Sequence, residues 1–444
     1  DGHSHLSAYE RKRLKNITEN AKFFAALKLH ESAARLNQIA TKRQPHGTKR
    51  PKPRKVEDER ALRRSMRLLR VEPSVPVSET PAQPAAGEYP QIPAGPVPMI
   101  PEDQAEDSRG TEALLNTWMR ISELKADDAD RHTPDLERYQ ESLSNMVLSE
   151  ENIRKVVKSR VCSMAIHPSE STILVAAGDK WGHIGLWNVS CGSEEGAHIF
   201  IPHNLQVSCM HFSPCNPAHL LSLSPDSLRC GDVTRAVFDE ICRSEESFSS
   251  FDFLEDSAST AIVGQWDGAV AVVDRRTPGM SELSADIGFK RTRTVHVHPV
   301  NKQYFLAAGL VDVCVFDVRY LKAKGNQPVS SLTGHTKSVA SAYFSPVTGS
   351  RVVTVCADDK LRHNSNTGRW LTRFRAIWDP KQEHCFLVGS MAQPRQINVF
   401  QDTGKLLHSF YSLDYLSSVC SINVVHPRRN ILVGGNSSGR LHVF

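Results

Sequence analysis

The chain has 444 residues, 40% of them hydrophobic, with 54 Lys and Arg against 49 Asp and Glu for a net charge of +5. That length allows two or three domains and one sizeable core, and no apolar run approaches the ~18 residues needed to span a bilayer. The start, Asp1-Gly2-His3-Ser4-His5, is not a signal peptide and has no initiator Met, which reads as a piece of a longer protein.

The charge is unevenly spread. Residues 1–70 hold 19 Lys and Arg against 7 Asp and Glu, so they carry +12 and the remainder carries −7. A basic arm on a mildly acidic body points to a polyanionic partner for the arm; the alternative is a solvated tail that aids solubility or import. Within the arm, residues 7–39 read as short amphipathic helices. Ser7 and Glu10 form a capping-box pattern, and Leu14, Ile17, Phe24 and Leu27 follow helical spacing. Lys49, Arg50, Lys52, Arg54 and Lys55 make a nuclear-import type of basic cluster, which Arg63-Arg64-Ser65-Met66-Arg67 extends.

Residues 71–109 contain nine prolines and few large apolar groups, so they read as a disordered linker. Residues 110–157 read as a segment leading into the next domain. Within it 111–120 and 134–157 look helical, and the end of the segment could supply a closing strand.

From 158 to 444 an internal repeat dominates. Each unit begins with an alternating strand ending in an X-Pro turn, as in Met164-Ala165-Ile166-His167-Pro168, Val295-His296-Val297-His298-Pro299 and Asn423-Val424-Val425-His426-Pro427. An apolar strand and a third strand follow. Pro168 to Pro214 is 46 residues, and Pro299 to Pro346 and Pro380 to Pro427 are 47 each. Pro214 to Pro299 is 85, two units around the Pro-less Phe251-Asp252-Phe253. The period is close to the ~40–45 residues of a WD repeat, so the expectation is an all-β, seven-bladed WD-repeat propeller. One interval fails. Pro346 to Pro380 is only 34 residues, because the unit jumps from Arg362 to His363 without most of its outer half.

Propeller connectivity sorts the loops onto two rims, and function sits in such loops on a rigid scaffold. On the rim where first strands begin lie Lys180 and Trp181; Trp266; Lys290, Arg291 and Arg293; and Arg369, Trp370, Arg373 and Arg375. Cations interleaved with flat aromatics suit phosphate contact with base stacking or wedging; the alternative is ordinary charged loops with Trp packed between blades. On the opposite rim, Asp274-Arg275-Arg276 and Asp317-Val318-Arg319 are two Asp-x-Arg endings. Each could present a planar Arg fork to a partner, or simply brace its blade.

Nothing has catalytic spacing, and no cofactor or metal is expected: there is no nucleophile elbow, H-E-x-x-H or phosphate-binding Gly loop. The ten cysteines form no C-x-x-C pair. Most sit in apolar strand-like stretches, which favours buried reduced thiols in an intracellular protein.

Four segments carry a family resemblance: Ala8-Tyr9-Glu10-Arg11-Lys12-Arg13-Leu14-Lys15-Asn16-Ile17, Arg63 to Arg67, Trp266-Asp267-Gly268 and Val272-Val273-Asp274-Arg275-Arg276-Thr277-Pro278. With them the chain resembles the WD-repeat propeller family that includes the second subunit of damage-specific DNA-binding protein. That subunit reads lesions and docks on the cullin-4 adaptor, the large subunit of the same complex. Arg229 in Ser227-Leu228-Arg229 resembles a phosphate-contacting Arg of the family, Lys290-Arg291 its basic loop, and Asp317-Val318-Arg319 its Asp-x-Arg ending. Arg369-Trp370 falls at the duplex-probing hairpin, but the hairpin's aromatic-amide-imidazole triplet is absent, so lesion specificity does not carry over.

The resemblance implies a nuclear protein that binds duplex DNA or nucleosomal chromatin and serves as substrate receptor in a cullin-4 ubiquitin ligase. Chromatin remodellers or histones are further candidate partners, and no membrane is involved. The rival reading is an interaction scaffold for an acidic or histone-like peptide, without direct DNA contact.

Overall fold

The computed structural model describes Thr18 and residues 92–102, 108–123, 135–191, 196–279, 281–356 and 370–444. The expectations placed on 7–39, on the Lys49–Lys55 cluster and on Arg369 lie outside the described residues. Contacts divide the chain into a unit of residues 1–84 and a unit of residues 85–444; all that follows concerns the second.

Antiparallel sheets follow one another along that unit, each a meander made from one repeat. Unit one consists of Val161–Ile166, Leu174–Asp179, Ile184–Asn188 and Ala197–Phe200. Unit two consists of Cys209–Phe212, His219–Leu223, Ser227–Asp232 and Val237–Arg243, and unit three of Phe248–Phe253, Thr260–Gln265, Ala269–Asp274 and Leu283–Asp286. Unit four runs through Thr294–Val297, Tyr304–Ala308, Val313–Asp317 and Ser330–Ser331. Unit six runs through Ile377–Trp378, Cys385–Ser390, Gln396–Gln401 and Leu406–Tyr411. Unit seven has Cys420–Val425, Leu432–Asn436 and Arg440–Val443, and Ile153–Lys155 from upstream is its fourth strand, with Ile153 opposite His442.

Among the described residues the propeller therefore has six blades of four or more strands, not the seven of the sequence expectation. Unit five contributes only the pair Val339–Phe344 and Val352–Cys356 among the described residues. That interval is about a dozen residues shorter than the 46 and 47 of the other units, which leaves less chain for the outer strands, and its residues 357–369 lie outside the described residues.

Contacts between inner strands close the ring. Each first strand touches the next from unit one to unit six; the first strand of unit seven touches the second strand of unit six and returns to unit one. Side chains alternate along these strands, so each sheet buries both faces against its neighbours. Met210 packs with Leu174, Ala176 and Leu186 of unit one, while Leu221, Leu223 and Leu228 pack with Phe251, Ala261 and Val263 of unit three.

The X-Pro turns explain the recurring histidines. His426 Nδ1 accepts from the backbone N–H groups of Arg428 and Arg429 at 3.1 and 2.9 Å, and His298 Nδ1 does the same for Val300 and Asn301. Burial pushes His167 and His442 down to about 4 and His203 down to about 3. These rings are neutral in the fold and take up a proton on unfolding once the pH drops below about 6.5. Stability should therefore fall as pH falls from 6.5 towards 4, on the order of 1.4 kcal/mol per pH unit per ring at full effect. Urea midpoints measured at pH 7 and pH 5 check this; equal midpoints would contradict it.

Two helices precede the ring. Helix α1, Ser108–Glu123, turns Thr111, Leu114, Trp118 and Ile121 inward at helical spacing. The Trp118 ring is fully buried against units one and two, and its Nε1 donates to Pro217 O at 2.9 Å. Helix α2, Leu136–Ser144, buries Tyr139 and Leu143 against units six and seven, and Tyr139 donates to Asp379 Oδ2 at 2.8 Å. The helix expected over 134–157 stops at Ser144, because the following residues turn into the closing strand instead.

Within the stretch read as a linker, residues 92–102 lie along unit two. Val97–Pro98 pair with Val237–Phe238 as a fifth strand, Met99 is buried, and Glu102 N donates to Ile199 O at 2.9 Å. This strap presents its carbonyls and Met99 to the blade edge, a use of proline-rich chain that composition does not display.

Candidate functional site

On the rim where first strands begin, buried hydrogen bonds aim the cationic loops. In unit one the fully buried Asp179 accepts from Trp181 N, His183 N, Ser159 N and the His183 ring, which fixes the loop between second and third strands. Gly182 in that loop has φ +94°, and a Cβ there would lie 2.0 Å from His203 O, so the turn needs glycine. The result is an exposed pair: Trp181 is 50% exposed and the Lys180 ammonium sits 4.5 Å from its ring centroid.

A second group forms between units three and four. Gly268, at φ +106°, lets the loop after Trp266 pass under the chain at Phe289, where a Cβ would meet the carbonyl oxygen at 1.8 Å. Thr292 ties the two loops, its hydroxyl donating to Gly268 O at 2.9 Å and its N–H to Gln265 O. Lys290 and Arg291 are thereby exposed, and the Arg293 guanidinium lies 5.4 Å from the Trp266 ring.

A third group leads into unit six. Arg375 donates to Ser208 O at 2.8 Å and the Thr372 hydroxyl to Val161 O, which pins this segment to the first strands of units one and two. Trp370 and Arg373 are exposed there. Seven of the eight residues assigned to nucleic acid from sequence are described. Lys180, Lys290, Arg291, Arg293, Trp370 and Arg373 share this rim by the connectivity of their loops.

Arg229 does not. Its guanidinium is 1% exposed and spends its donors internally: Nη1 on Gly95 O at 2.8 Å, Nη2 on Pro93 O and Glu240 Oε2 at 2.9 Å each. A charge so enclosed cannot reach a phosphate while the strap is in place. The sequence expectation for Arg229 is corrected to a structural clamp holding residues 93–95 on the blade. No pattern within Ser227-Leu228-Arg229 signals this, since the carbonyls it binds lie more than 130 positions upstream.

The opposite rim carries the two Asp-x-Arg endings in the same geometry. Arg276 lays Nε and Nη2 on the Asp274 carboxylate at 2.6 to 3.0 Å, and its own N–H donates to Oδ1 at 2.8 Å. Arg319 repeats this on Asp317, with Nε 3.0 Å and Nη2 2.6 Å from the two oxygens. Hydrogen bonds from the arginine hold both carboxyls below the usual carboxylate range. The Asp side chains are buried while the Arg side chains are 71% and 58% exposed, so each exposed guanidinium is anchored through Nε and Nη2 on a buried carboxylate. Bracing between blades falls to Arg275 instead, which donates to Ala258 O and to the His219 ring. Beside Arg319 lies a hollow of about 210 Å³ lined by Phe316, Tyr320, Leu321, Pro328 and Val329.

Among the described residues no group of three His, Cys, Asp or Glu side chains could hold a metal ion, and no helix is long and apolar enough to cross a membrane.

No protein-family profile matches the chain. It is 53% identical to WD repeat-containing protein 76 of Rhinolophus ferrumequinum, over 100% of this chain and 74% of that protein. Identity to WD repeat-containing protein 76 of Mus musculus is also 53%, over 100% and 75%. At 24% identity, over 98% of both chains, it is similar to the DNA damage-binding protein CMR1 of Phaeosphaeria nodorum.

Proposed function

We propose, from the premise that the chain belongs to the WD repeat-containing protein 76 family, that it is a non-enzymatic nuclear protein binding duplex DNA or nucleosomal chromatin. The observation that carries this reading is the leading rim, where three separately anchored groups of loops expose Lys180, Lys290, Arg291 and Arg373 beside Trp181, Trp266 and Trp370, with Arg293 half-buried against Trp266. Cations spaced along a surface contact successive phosphates, and the exposed rings stack on or wedge between bases. The name DNA damage-binding protein borne by a relative spanning the same length supports it. Nuclear import would fall to Lys49, Arg50, Lys52, Arg54 and Lys55.

The far rim supports a second contact of the same protein. Arg276 and Arg319 are held as forks on adjacent blades, suited to carboxylates or carbonyls of a rigid partner. In this reading they dock the cullin-4 adaptor and make the protein a substrate receptor, with chromatin remodellers or histones as further partners. Replacing both with Glu should abolish capture of the purified adaptor. The fold should survive with a lowered thermal midpoint, because the buried Asp274 and Asp317 carboxylates lose their arginine side-chain donors but keep the backbone N–H of Arg276 and Arg319. Undiminished capture would remove the adaptor from this surface.

A rival reading, a scaffold for an acidic or histone-like peptide, uses the same leading rim. Competition separates the two: bare duplex displaces a bound acidic peptide only if both occupy that rim and duplex binds it. Binding of duplex by the whole chain, measured at low and moderate salt, is the first test. No salt-sensitive binding would favour the peptide scaffold.

A further inference from the structure

Independently of the rims, the inner ring of strands carries chemistry that neither reading uses. Cys209 and His211 stand two residues apart on the first strand of unit two, so their side chains leave the same face. Cys209 Sγ is 3.4 Å from His211 Nε2. The face they share looks onto unit three: the His211 ring meets the Phe251 ring edge-on at 5.1 Å. Cys209 Sγ also lies 3.7 Å from Phe251 O, the longer and weaker of its two contacts. Cys209 keeps 8% exposure and His211 is exposed, although its strand belongs to the inner ring. Solvent therefore reaches the imidazole that touches the thiol.

The charged and titratable groups around the pair come from four further elements. Asp252 stands on the first strand of unit three, His296 on that of unit four, with its Nε2 3.9 Å from Asp252 Oδ2. Tyr343 stands on the first strand of unit five, and Arg375 leads into unit six. Burial alone would raise the thiol, but the His211 ring beside it, their hydrogen bond and the Arg375 guanidinium outweigh burial and hold Cys209 below the ordinary thiol value. Desolvation by the strands on every side of the inner ring disfavours the imidazolium even where water touches it, yet the Cys209 sulfur and the Asp252 carboxylate push His211 up to about 9. Tyr343 is raised, chiefly by burial, and stays neutral. His296 is lowered, chiefly by burial, and stays neutral too.

We propose that Cys209 and His211 form a thiolate–imidazolium pair, which makes Cys209 a covalent modification site for small uncharged oxidants and electrophiles. With a peroxide of the hydrogen peroxide class, the sulfur lone pair attacks one peroxide oxygen and the O–O bond breaks. Hydroxide leaves with the bonding electrons and takes the proton from His211 to become water. Sulfur is oxidised by two electrons to sulfenic acid and the peroxide is reduced. With iodoacetamide, a C–S bond forms, the C–I bond breaks and iodide leaves, while the proton stays on His211.

The other thiols supply internal controls. Cys215 is exposed. Cys420 is fully enclosed, its thiol pushed up by burial to about 12, so it stays silent until the chain unfolds.

The experiment is carbamidomethylation of the full-length chain by iodoacetamide between pH 6 and pH 8.5. Each cysteine is followed by peptide mass spectrometry, with a free cysteine peptide in the same tube. At pH 6, Cys209 should react about tenfold or more faster than the peptide, because the thiolate is the nucleophile and a free thiol is almost wholly protonated there. Its rate should be nearly flat to pH 8, while the peptide's climbs close to tenfold per unit. His211→Gln should slow Cys209 at pH 6 by about tenfold, with Cys215 unchanged and Cys420 still silent. A Cys209 rate that climbs with pH like the free peptide's overturns the proposal. So does a Cys209 that stays unlabelled while Cys215 reacts. The pH profile of the unsubstituted chain decides the matter even if His211→Gln fails to fold.

Discussion

Reversing Lys290, Arg291 and Arg373 to Glu together is expected to weaken duplex binding by about 100-fold or more at moderate salt. Removing each phosphate partner should also flatten the dependence of log affinity on log salt by roughly 0.9, so three such removals take away nearly three units of slope. The effect is large because these side chains are exposed on two loops that buried bonds hold in place: Thr292 to Gly268 in one, Arg375 to Ser208 in the other. Nothing in the core changes, so the thermal midpoint should shift little. Fluorescence anisotropy with a labelled duplex at about 50 and 200 mM salt measures both quantities. Affinity and slope that both match the parent chain would move DNA contact off this rim.

Arg229→Ala should give the opposite pattern, a fall in stability with no change in salt slope. The guanidinium is enclosed between Glu240 and the carbonyls of Pro93 and Gly95, so its removal strips both carbonyls of their donor, while Glu240 keeps its pair with Arg243. Leaving buried carbonyls without their donor costs about 1–3 kcal/mol. The strap over residues 92–98 loses its two main anchors, and limited proteolysis there should accelerate well before the blades unfold. Chemical denaturation and a timed protease digest read the two effects. A variant as stable and as resistant as the parent chain would mean the strap is held by Met99, the Val97–Pro98 pairing and its backbone hydrogen bonds without help from Arg229.

The two variants mark how far the sequence could be read. The propeller was legible because its signals are local: alternation within a strand, an X-Pro turn at its end and a recurrence close to WD length. The His-Pro pairs were correctly explained as turns, since an imidazole accepting two backbone N–H groups needs only neighbours in sequence. The Asp-x-Arg endings were legible for the same reason, donor and acceptor being two residues apart.

What escaped was non-local. The position of Arg229 within a strand says nothing about a segment crossing it from far upstream. Nine prolines in 71–109 hid eleven residues that pack on unit two. The blade count failed at the one unit whose interval is about a dozen residues shorter than the others and lies partly outside the described residues. Trp181 and Trp266 could not be assigned to stacking or packing from spacing alone. Both are partly open, and each lies against a cation rather than inside a blade.

Ile153–Lys155 complete the sheet of unit seven, with Ile153 facing His442 across 289 positions of sequence. On the ribosome, the strand that seals the ring is made 289 positions before its partner. Until Arg440–Val443 emerge, the nascent protein is an open arc with two unsatisfied blade faces at its ends, Val161 and Met164 at one and Phe410 at the other. Closing a loop of that length carries a high entropic cost and comes late. Synthesis at about 5–20 residues per second leaves the arc exposed for tens of seconds, a window in which chaperones rather than packing protect it. Once shut, the same register makes the ring cooperative: the last blade takes its outer strand from the chain leading into the first, and neither end can fray without opening the other.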